Sequence, residues 1–279
     1  MGRFPTFHSR SYPHVKTVAL AVLVLAWLPH ATAWGREGPS IMPADSPAQG
    51  RAEVLPGLML WAWERPEDLR FIDTRTVGVA FLSATCCLRG KSVLVRPRLQ
   101  PLSVPAGTVL EAVVRIECDR REPPALSSDQ AARLVRIVCK AGRGLGVVAV
   151  QIDFDARESQ RDFYSELLQE LRRVLPESMI LSATALASWC MYDSWISCLP
   201  VDEIVPMLFR MGVDRGRIRS ALEKRRKFVF AGCGRSVGLS VDEPGIAVPS
   251  GVRVYAFNPK SWSEKTLKAF QCNIEREGE

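Results

Sequence analysis

From Leu55 onward the chain alternates short apolar runs with amphipathic segments, a pattern typical of a parallel sheet covered by helices. The apolar runs predict eight strands, near positions 58–63, 77–82, 109–117, 147–155, 179–186, 204–209, 228–233 and 252–257. Helical spacing and capping residues predict helices over 130–140, after Ser127-Ser128-Asp129, over 159–174, and over 215–226, after Asp214.

Eight strands in about 220 residues predict a compact (β/α)8 barrel, the TIM-barrel fold, as a single domain over 55–279. A doubly wound open sheet is the alternative, without its usual dinucleotide site because no G-x-G-x-x-G follows the first strand. Almost no helix is expected between the first two strands. The stretch 88–103, which contains Pro97 and Pro101, is expected to be irregular.

The first 33 residues have the pattern of a secretory signal peptide. Basic residues precede a short apolar run at 17–28, and Ala31-Thr32-Ala33 supplies a small-residue cleavage site. An uncleaved anchor is the alternative. A flexible linker rich in Pro and Gly is expected over 34–54. We therefore expect export to the periplasm or the extracellular space, with no stable membrane span after the signal is removed.

Removing the leader lowers the formal charge from +7 to +4, an ordinary value for a soluble protein. The densest basic run, 224–227, ends a predicted helix, where cations complement the helix dipole, so no nucleic-acid partner is expected. All eight cysteines follow the leader, and an oxidising compartment permits disulfides. Cys190–Cys198 is the favoured pair and Cys118–Cys139 a weaker one, with buried free thiols as the alternative.

The three histidines, His8, His14 and His30, all lie in the expected leader. A mature chain without histidine has no Ser-His-Asp triad, no Cys-His pair and no His-ligated metal site. Carboxylates are therefore the expected acid–base groups, and no cofactor or metal is predicted.

Three polar residues, Gln151, Asp153 and Asp155, alternate along the apolar run 147–155 and would share one face of a strand. Charged groups on the inner face of a buried strand must be paired or functional. Asp155 could instead cap the following helix, and Asp153 could be structural.

Polar and aromatic residues end the other predicted strands, where barrel active sites form. Aromatic faces stack on sugar rings, and glycosidic cleavage uses paired carboxyl groups. The candidate catalytic residues are Asp153, Asp155 and Glu117. The candidate substrate-binding residues are Trp61, Trp63, Glu64, Arg115, Gln151, Trp189, Arg210, Tyr255 and Asn258.

Structural alternatives exist for several of these residues. Core packing suits Trp61 and Trp63, mutual neutralisation suits Arg115 with Glu117, and Arg210 could pair with one of the aspartates. Glu64 could be a surface residue.

Three segments carry a resemblance to a known family: 60–66 (LWAWERP), 151–156 (QIDFDA) and 205–212 (VPMLFRMG). They resemble an exported bacterial family without assigned function, catalogued as domain-of-unknown-function family 3142. The resemblance covers the chain from about Leu55 onward, and it implies a fold and a compartment more than an activity.

The chain is also distantly similar to the chitinase-type glycosidases, whose fourth strand carries D-x-x-D-x-D-x-E. In this similarity Asp155 stands at the position of the acidic Glu and Asp153 at the neighbouring Asp, while Val148 and Gln151 replace the two earlier Asp residues. The segment 207–210 (MLFR) matches the sixth-strand M-x-Y-D without its polar members. These departures argue against substrate-assisted chitinase chemistry.

The leading functional hypothesis is a glycoside-hydrolase-like protein acting on a polysaccharide or oligosaccharide, with Asp155 as general acid and Asp153 as its orienting partner. Glu117 or Glu64 is the candidate second carboxylate. The alternative is a non-catalytic carbohydrate-binding barrel of the cell envelope. A third hypothesis, ranked low, is metal-assisted hydrolysis through Asp153, Asp155 and Glu117.

Overall fold

The computed structural model describes residues 48–225, 228–243, 248–249 and 251–278. Its strands, in chain order, are β1 Leu58–Ala62, β2 Glu67–Asp68, β3 Val77–Arg89, β4 Ser92–Pro97, β5 Leu102–Ser103, β6 Leu110–Cys118, β7 Val147–Asp153, β8 Ile180–Leu186, β9 Glu203–Met207, β10 Ser236–Ser240 and β11 Arg253–Phe257. Its α-helices are α1 Ala48–Arg51, α2 Ser128–Ala141, α3 Arg161–Val174, α4 Ala187–Tyr192, α5 Arg215–Arg225 and α6 Glu264–Gly278.

Eight of these strands close into a parallel barrel. Going round the barrel, the order is β1, β3, β6, β7, β8, β9, β10 and β11, and β11 pairs with β1 to complete the ring. An α-helix follows each barrel strand from β6 to β9, and α6 follows β11, while the residues described between β10 and β11 contain no helix. The TIM-barrel prediction is confirmed, and the open sheet is excluded because both edges of an open sheet would remain unpaired.

The helices cover the barrel as their sequence patterns predict. The Ser127 hydroxyl and the Gln130 side chain form a reciprocal capping box at the start of α2. On α3, the apolar stripe predicted from its spacing is buried, with Phe163, Leu167 and Leu171 on the inner face. None of the described helices is both long and apolar enough to cross a bilayer.

The strand predicted over 228–233 is wrong. Residues 231–234 form a 3-10 turn, and the barrel strand β10 begins only at Ser236. A Cβ atom on Gly238, in the middle of β10, would lie 2.9 Å from the Trp61 ring. This strand therefore needs a glycine at its centre, where an apolar side chain would have identified it as a buried strand. The apolar pattern consequently pointed to the segment 228–233 instead.

The irregular structure expected over 88–103 is also wrong. Strand β3 continues to Arg89 and turns back through Gly90, at φ +50, into the antiparallel strand β4. Pro97 closes β4 at its last position, where an edge strand tolerates the missing N–H. Pro97 therefore marks the end of a hairpin rather than preventing one, and Pro101 lies beyond it.

Residues 48–54, placed in the expected linker, form α1 and a 3-10 turn packed beneath the barrel. Ala52 and Leu55 are buried, and the Arg253 guanidinium donates to both of their carbonyl oxygens. The final residues of the expected linker therefore belong to the folded domain, with buried side chains from Ala52 onward. The expected leader and the rest of the linker lie outside the described residues.

Two glutamates lie inside the amino-terminal half of the barrel. Glu203 accepts hydrogen bonds from Tyr255 Oη, at 2.6 Å, and from the Ser236 hydroxyl, and it pairs with Arg253. Glu111 is fully buried, and among the described residues neither of its carboxyl oxygens has a hydrogen-bond partner of normal geometry. Burial, and secondarily the charge of Glu203, raises the pKa of Glu111 to about 8.

Glu111→Gln should remove a pH dependence from the stability of the protein. A carboxyl with a folded-state pKa of about 8 keeps its proton after the unfolded chain has lost it near pH 4.5, so stability falls as the pH rises between these values. We expect the melting temperature of the variant, measured relative to wild type by thermal unfolding, to increase from pH 5 to pH 8.

Exposed Glu158→Gln is the matched control for changing one carboxyl to an amide. A constant difference in melting temperature between Glu111→Gln and wild type across this pH range would contradict the assignment.

Candidate active site

A cavity of about 320 Å³ opens at the carboxyl end of the barrel. Seven of the twelve predicted site residues line it: Trp61, Trp63, Arg115, Gln151, Asp153, Asp155 and Arg210. They come from the carboxyl-terminal halves of β1, β6 and β7 and from the residues that follow β1, β7 and β9. The cavity therefore occupies the place where barrel enzymes carry their active sites.

Asp153, the last residue of β7, is buried and paired through both carboxyl oxygens. Arg115 Nη1 donates to Oδ2 at 3.2 Å, and Thr184 Oγ1 donates to Oδ1 at 2.8 Å. Burial raises the pKa of Asp153 above its ordinary value, with Arg115 opposing and Asp155 adding to the shift. Its fixed contacts suit Asp153 to orienting its neighbours rather than exchanging protons.

Asp155 is the unpaired carboxyl of the β7 end. It is exposed to the cavity, and within the described chain no hydrogen bond or ion pair holds it. Protein atoms on its other sides desolvate the group and raise its pKa, against the opposing charge of Arg115. Helix capping is excluded, since Arg157 and Gln160 occupy the cap positions that follow. A carboxyl that keeps its proton to a higher pH than usual can act as an acid.

Arg115 connects the carboxylates of the rim. Besides Asp153, it binds Glu117 Oε1 through Nε at 3.0 Å, and its guanidinium lies 5.8 Å from the Trp63 ring centre. Glu117 also pairs with Arg96, at 3.2 Å, and does not line the cavity. The structure thus shows the mutual neutralisation of Arg115 and Glu117 that the sequence left open, and Glu117 supports the site from outside it.

Trp61 and Gln151 form the buried floor of the cavity. Trp61 Nε1 donates to Gln151 Oε1 at 2.9 Å, and Gln151 Nε2 donates to Ser182 Oγ at 3.0 Å. The Trp61 ring packs against Tyr255, with ring centres 5.2 Å apart. Both the amide and the indole therefore have their hydrogen bonds satisfied within the protein, and the core-packing interpretation of Trp61 applies.

The other predicted site residues lie outside the cavity lining. Glu64 accepts from Thr85 Oγ1 at 3.1 Å, and Asn258 Oδ1 accepts from the Lys260 amide at 2.9 Å. Tyr255 is buried below the floor, and Trp189 is buried against Trp195, with ring centres 5.1 Å apart. Each of these side chains contacts other protein groups instead of facing the cavity, where the sequence predicted that it would bind a ligand.

The expected disulfide pairs are both wrong. Cys190, on α4, bonds to Cys233, in the 3-10 turn before β10, while Cys198, Cys118 and Cys139 are free. The partner was missed because residues 228–233 were predicted to be a strand, which hid the turn that brings Cys233 to α4.

Several lining residues were not anticipated. Phe209 and Phe257 stack with ring centres 5.5 Å apart and planes 4° apart, and the Arg210 guanidinium lies 5.0 Å from the Phe257 ring centre. No carboxylate pairs with the Arg210 guanidinium among the described residues, which removes its predicted pairing with the aspartates. Asp214 also lines the cavity, although the sequence suggested only a helix cap for it.

A metal centre is not favoured by the geometry. Nowhere in the described chain do three or more His, Cys, Asp or Glu side chains converge as ligands. Glu117 is turned toward two arginines, so the carboxylate set considered for metal-assisted hydrolysis does not assemble.

Comparison with known proteins gives little sequence support. No family model matches the chain, so membership of domain-of-unknown-function family 3142 stays a prediction, and no curated protein matches it. Among solved structures, the chain is similar to the Bacillus cereus spore cortex-lytic enzyme SleL at 14% identity and a TM-score of 0.43. The match covers 66% of this chain and 51% of that one, so it spans about half of the enzyme's length. The barrel fold rests on the strand pairing described above.

Thr184→Val should destabilise the protein through Asp153. The nearly isosteric change removes a hydrogen bond to a buried carboxyl, which costs about 2 kcal/mol in the free energy of unfolding. In an Asp153→Asn background the loss should be clearly smaller, because the charge it serves is gone. Chemical denaturation of the four proteins in this double-mutant cycle measures the coupling. Equal losses in both backgrounds would show that Thr184 does not act through Asp153.

Proposed function

We propose that this chain is a secreted or periplasmic glycoside-hydrolase-like protein that acts on a polysaccharide or oligosaccharide. Asp155 is the general acid that protonates the glycosidic oxygen. Asp153 is a positioning residue, which fixes the Arg115 guanidinium beside the cavity through their ion pair. Trp63, Phe209 and Phe257 contact the sugar rings.

The observation that carries this proposal is the contrast between the two neighbouring aspartates. Burial raises the pKa of both carboxyl groups, but Asp153 is ion-paired and hydrogen-bonded, whereas Asp155 faces the cavity without a partner in the described chain. A carboxyl group held by two partners suits a positioning role, and a free one with a raised pKa suits the role of an acid. Asp155 is also the one that can reach a ligand.

The cavity walls also suit a sugar. Trp63 is half-buried at the rim, and the stacked pair Phe209–Phe257 forms another apolar wall. Arg115 and Arg210 lie beside these rings and offer donors for hydroxyl or acid groups. Apolar faces with a few fixed polar groups are the usual composition of a small-molecule site.

The departures from chitinase-type sequences indicate that the second catalytic group differs from the one in chitinase-type enzymes. Gln151 occupies the position of a motif aspartate, and both ends of its amide are already bonded to Trp61 and Ser182. An amide held in the floor by two hydrogen bonds does not supply the carboxyl group that the motif has at this position. Any hydrolysis therefore needs its second group from elsewhere in the cavity.

The same observation favours the second candidate function, a barrel that binds glycans without cleaving them. Gln151, locked by its hydrogen bonds, and Arg210, at the position of the sixth-strand aspartate, remove motif carboxylates and leave a binding surface intact. This candidate predicts glycan affinity without turnover, and that affinity should depend on Trp63 rather than on Asp155.

Turnover should depend on Asp155. Purified protein incubated with peptidoglycan, chitin, poly-glucosamine and neutral glycans is expected to release new oligosaccharides, detected by mass spectrometry. Asp155→Asn should lower the rate roughly 10²- to 10⁴-fold, the usual contribution of a general acid. Exposed Asp129→Asn, on the first turn of α2, makes the same chemical change outside the cavity and should leave the rate unchanged.

Loss of activity in Asp129→Asn as well would assign the effect to folding rather than to chemistry. Retained glycan binding by a folded wild type that releases nothing would support the binding barrel instead.

Activity should fall on the alkaline side as Asp155 loses its proton, and Arg115 should set where this happens. The Arg115 charge lowers the pKa of Asp155, so Arg115→Gln should move the alkaline limb of the kcat/KM profile to higher pH. Arg115→Lys keeps the positive charge and serves as the control. An alkaline limb that stays in place, or moves to lower pH, would show that Asp155 is not the titrating acid.

A further inference from the structure

We propose that Asp214 is the second carboxylate of the reaction, acting as the general base that activates water. This inference rests on the hydrolytic function proposed above and names a residue that no motif points to. Asp214 lines the same cavity as Asp155 but comes from the loop after β9, on a different part of the wall.

Asp214 is the other free carboxylate of the cavity. Of the three aspartates in the lining, Asp153 is held by Arg115 and Thr184, while Asp155 and Asp214 have no hydrogen bond or ion pair within the described part of the chain. The sequence suggested that Asp214 caps α5. Its carboxylate makes no such bond to a described residue, so it is available to a ligand.

Glu243 contacts the loop that carries Asp214 on both sides of that residue. Glu243 Oε1 accepts from the Arg210 amide at 2.9 Å, and Glu243 Oε2 lies 3.6 Å from Arg215 Nη2. Arg210 itself has φ +52, and Gly212 has φ +61. Two left-handed residues in one short loop give it a sharp path, and the Glu243 contacts on either side fix where Asp214 stands.

The two free carboxylates stand on different parts of the cavity wall. Asp155 follows β7, and Asp214 lies in the loop after β9, with β8 between these strands. In an inverting glycosidase one carboxyl group is the acid and the other is the base that activates a water on the opposite face of the sugar, whereas in a retaining enzyme the second carboxyl group bonds to the sugar. A carboxylate on a separate part of the wall from the acid suits the role of that base.

The proposed step is balanced in atoms and charge. Asp155 gives its proton to the glycosidic oxygen as the bond from that oxygen to the anomeric carbon breaks. Water forms the new bond to the anomeric carbon from the opposite face, and its proton passes to Asp214. The products are the leaving alcohol and a sugar of inverted configuration. Proton exchange with solvent then restores both carboxyl groups.

The test compares wild type, Asp214→Asn, Asp214→Glu and the control Asp129→Asn on whichever glycan of the panel the wild type cleaves. We expect Asp214→Asn to lower kcat roughly 10²- to 10⁴-fold with unchanged melting temperature and glycan affinity. Asp214→Glu should recover part of the rate. Proton NMR of the first product formed by wild type should show inversion at the anomeric carbon.

The outcomes separate this inference from the function it rests on. Wild-type cleavage with full activity in Asp214→Asn would overturn the role of Asp214 and leave the glycosidase proposal standing. Retention of configuration would overturn the role as a base in the same way. A wild type that cleaves none of the glycans would overturn both proposals together.

Discussion

Closing the barrel forces the inward side chains of eight strands into a space from which bulk water is excluded. Every carboxyl placed there must be paired, protonated or moved to the open end. Glu203 is paired with Arg253, Glu111 keeps a proton, and Asp153 is neutralised by Arg115. Asp155 and Asp214 escape this requirement because they stand beyond the strand ends, and they are therefore the groups left free for a ligand.

Much of the fold follows from periodicity, because burial imposes it on the sequence. Alternation along 147–155 placed Gln151 and Asp153 on the inner face, and the structure has them there. Periodicity does not identify a strand in which packing requires a glycine instead of an apolar side chain. Gly238 sits in β10 because the Trp61 ring leaves no room for a side chain, and no local pattern reports a ring that approaches from another strand.

The site was less predictable than the fold, for a related reason. Position at a strand end identifies which residues can reach the cavity, but it does not show which of them are already paired with other protein side chains. The sequence makes both Glu117 and Arg115 candidates, yet only the three-dimensional pairing shows that Glu117 faces Arg96 and Arg115 faces the cavity. Asp214 was treated as a cap because, in sequence, a residue before a helix looks the same whether or not its carboxyl binds the helix backbone.

The bridge between Cys190 and Cys233, 43 positions apart, encloses β9, α5 and the loop that carries Arg210 and Asp214 in one covalent ring. A ring that stays closed in the unfolded chain has fewer conformations to lose, so this wall of the cavity is cheaper to order once the bond exists. Oxidation thus becomes a maturation step for the cavity itself. In a reducing compartment the same chain would lack this disulfide, and its cavity wall would not be cross-linked.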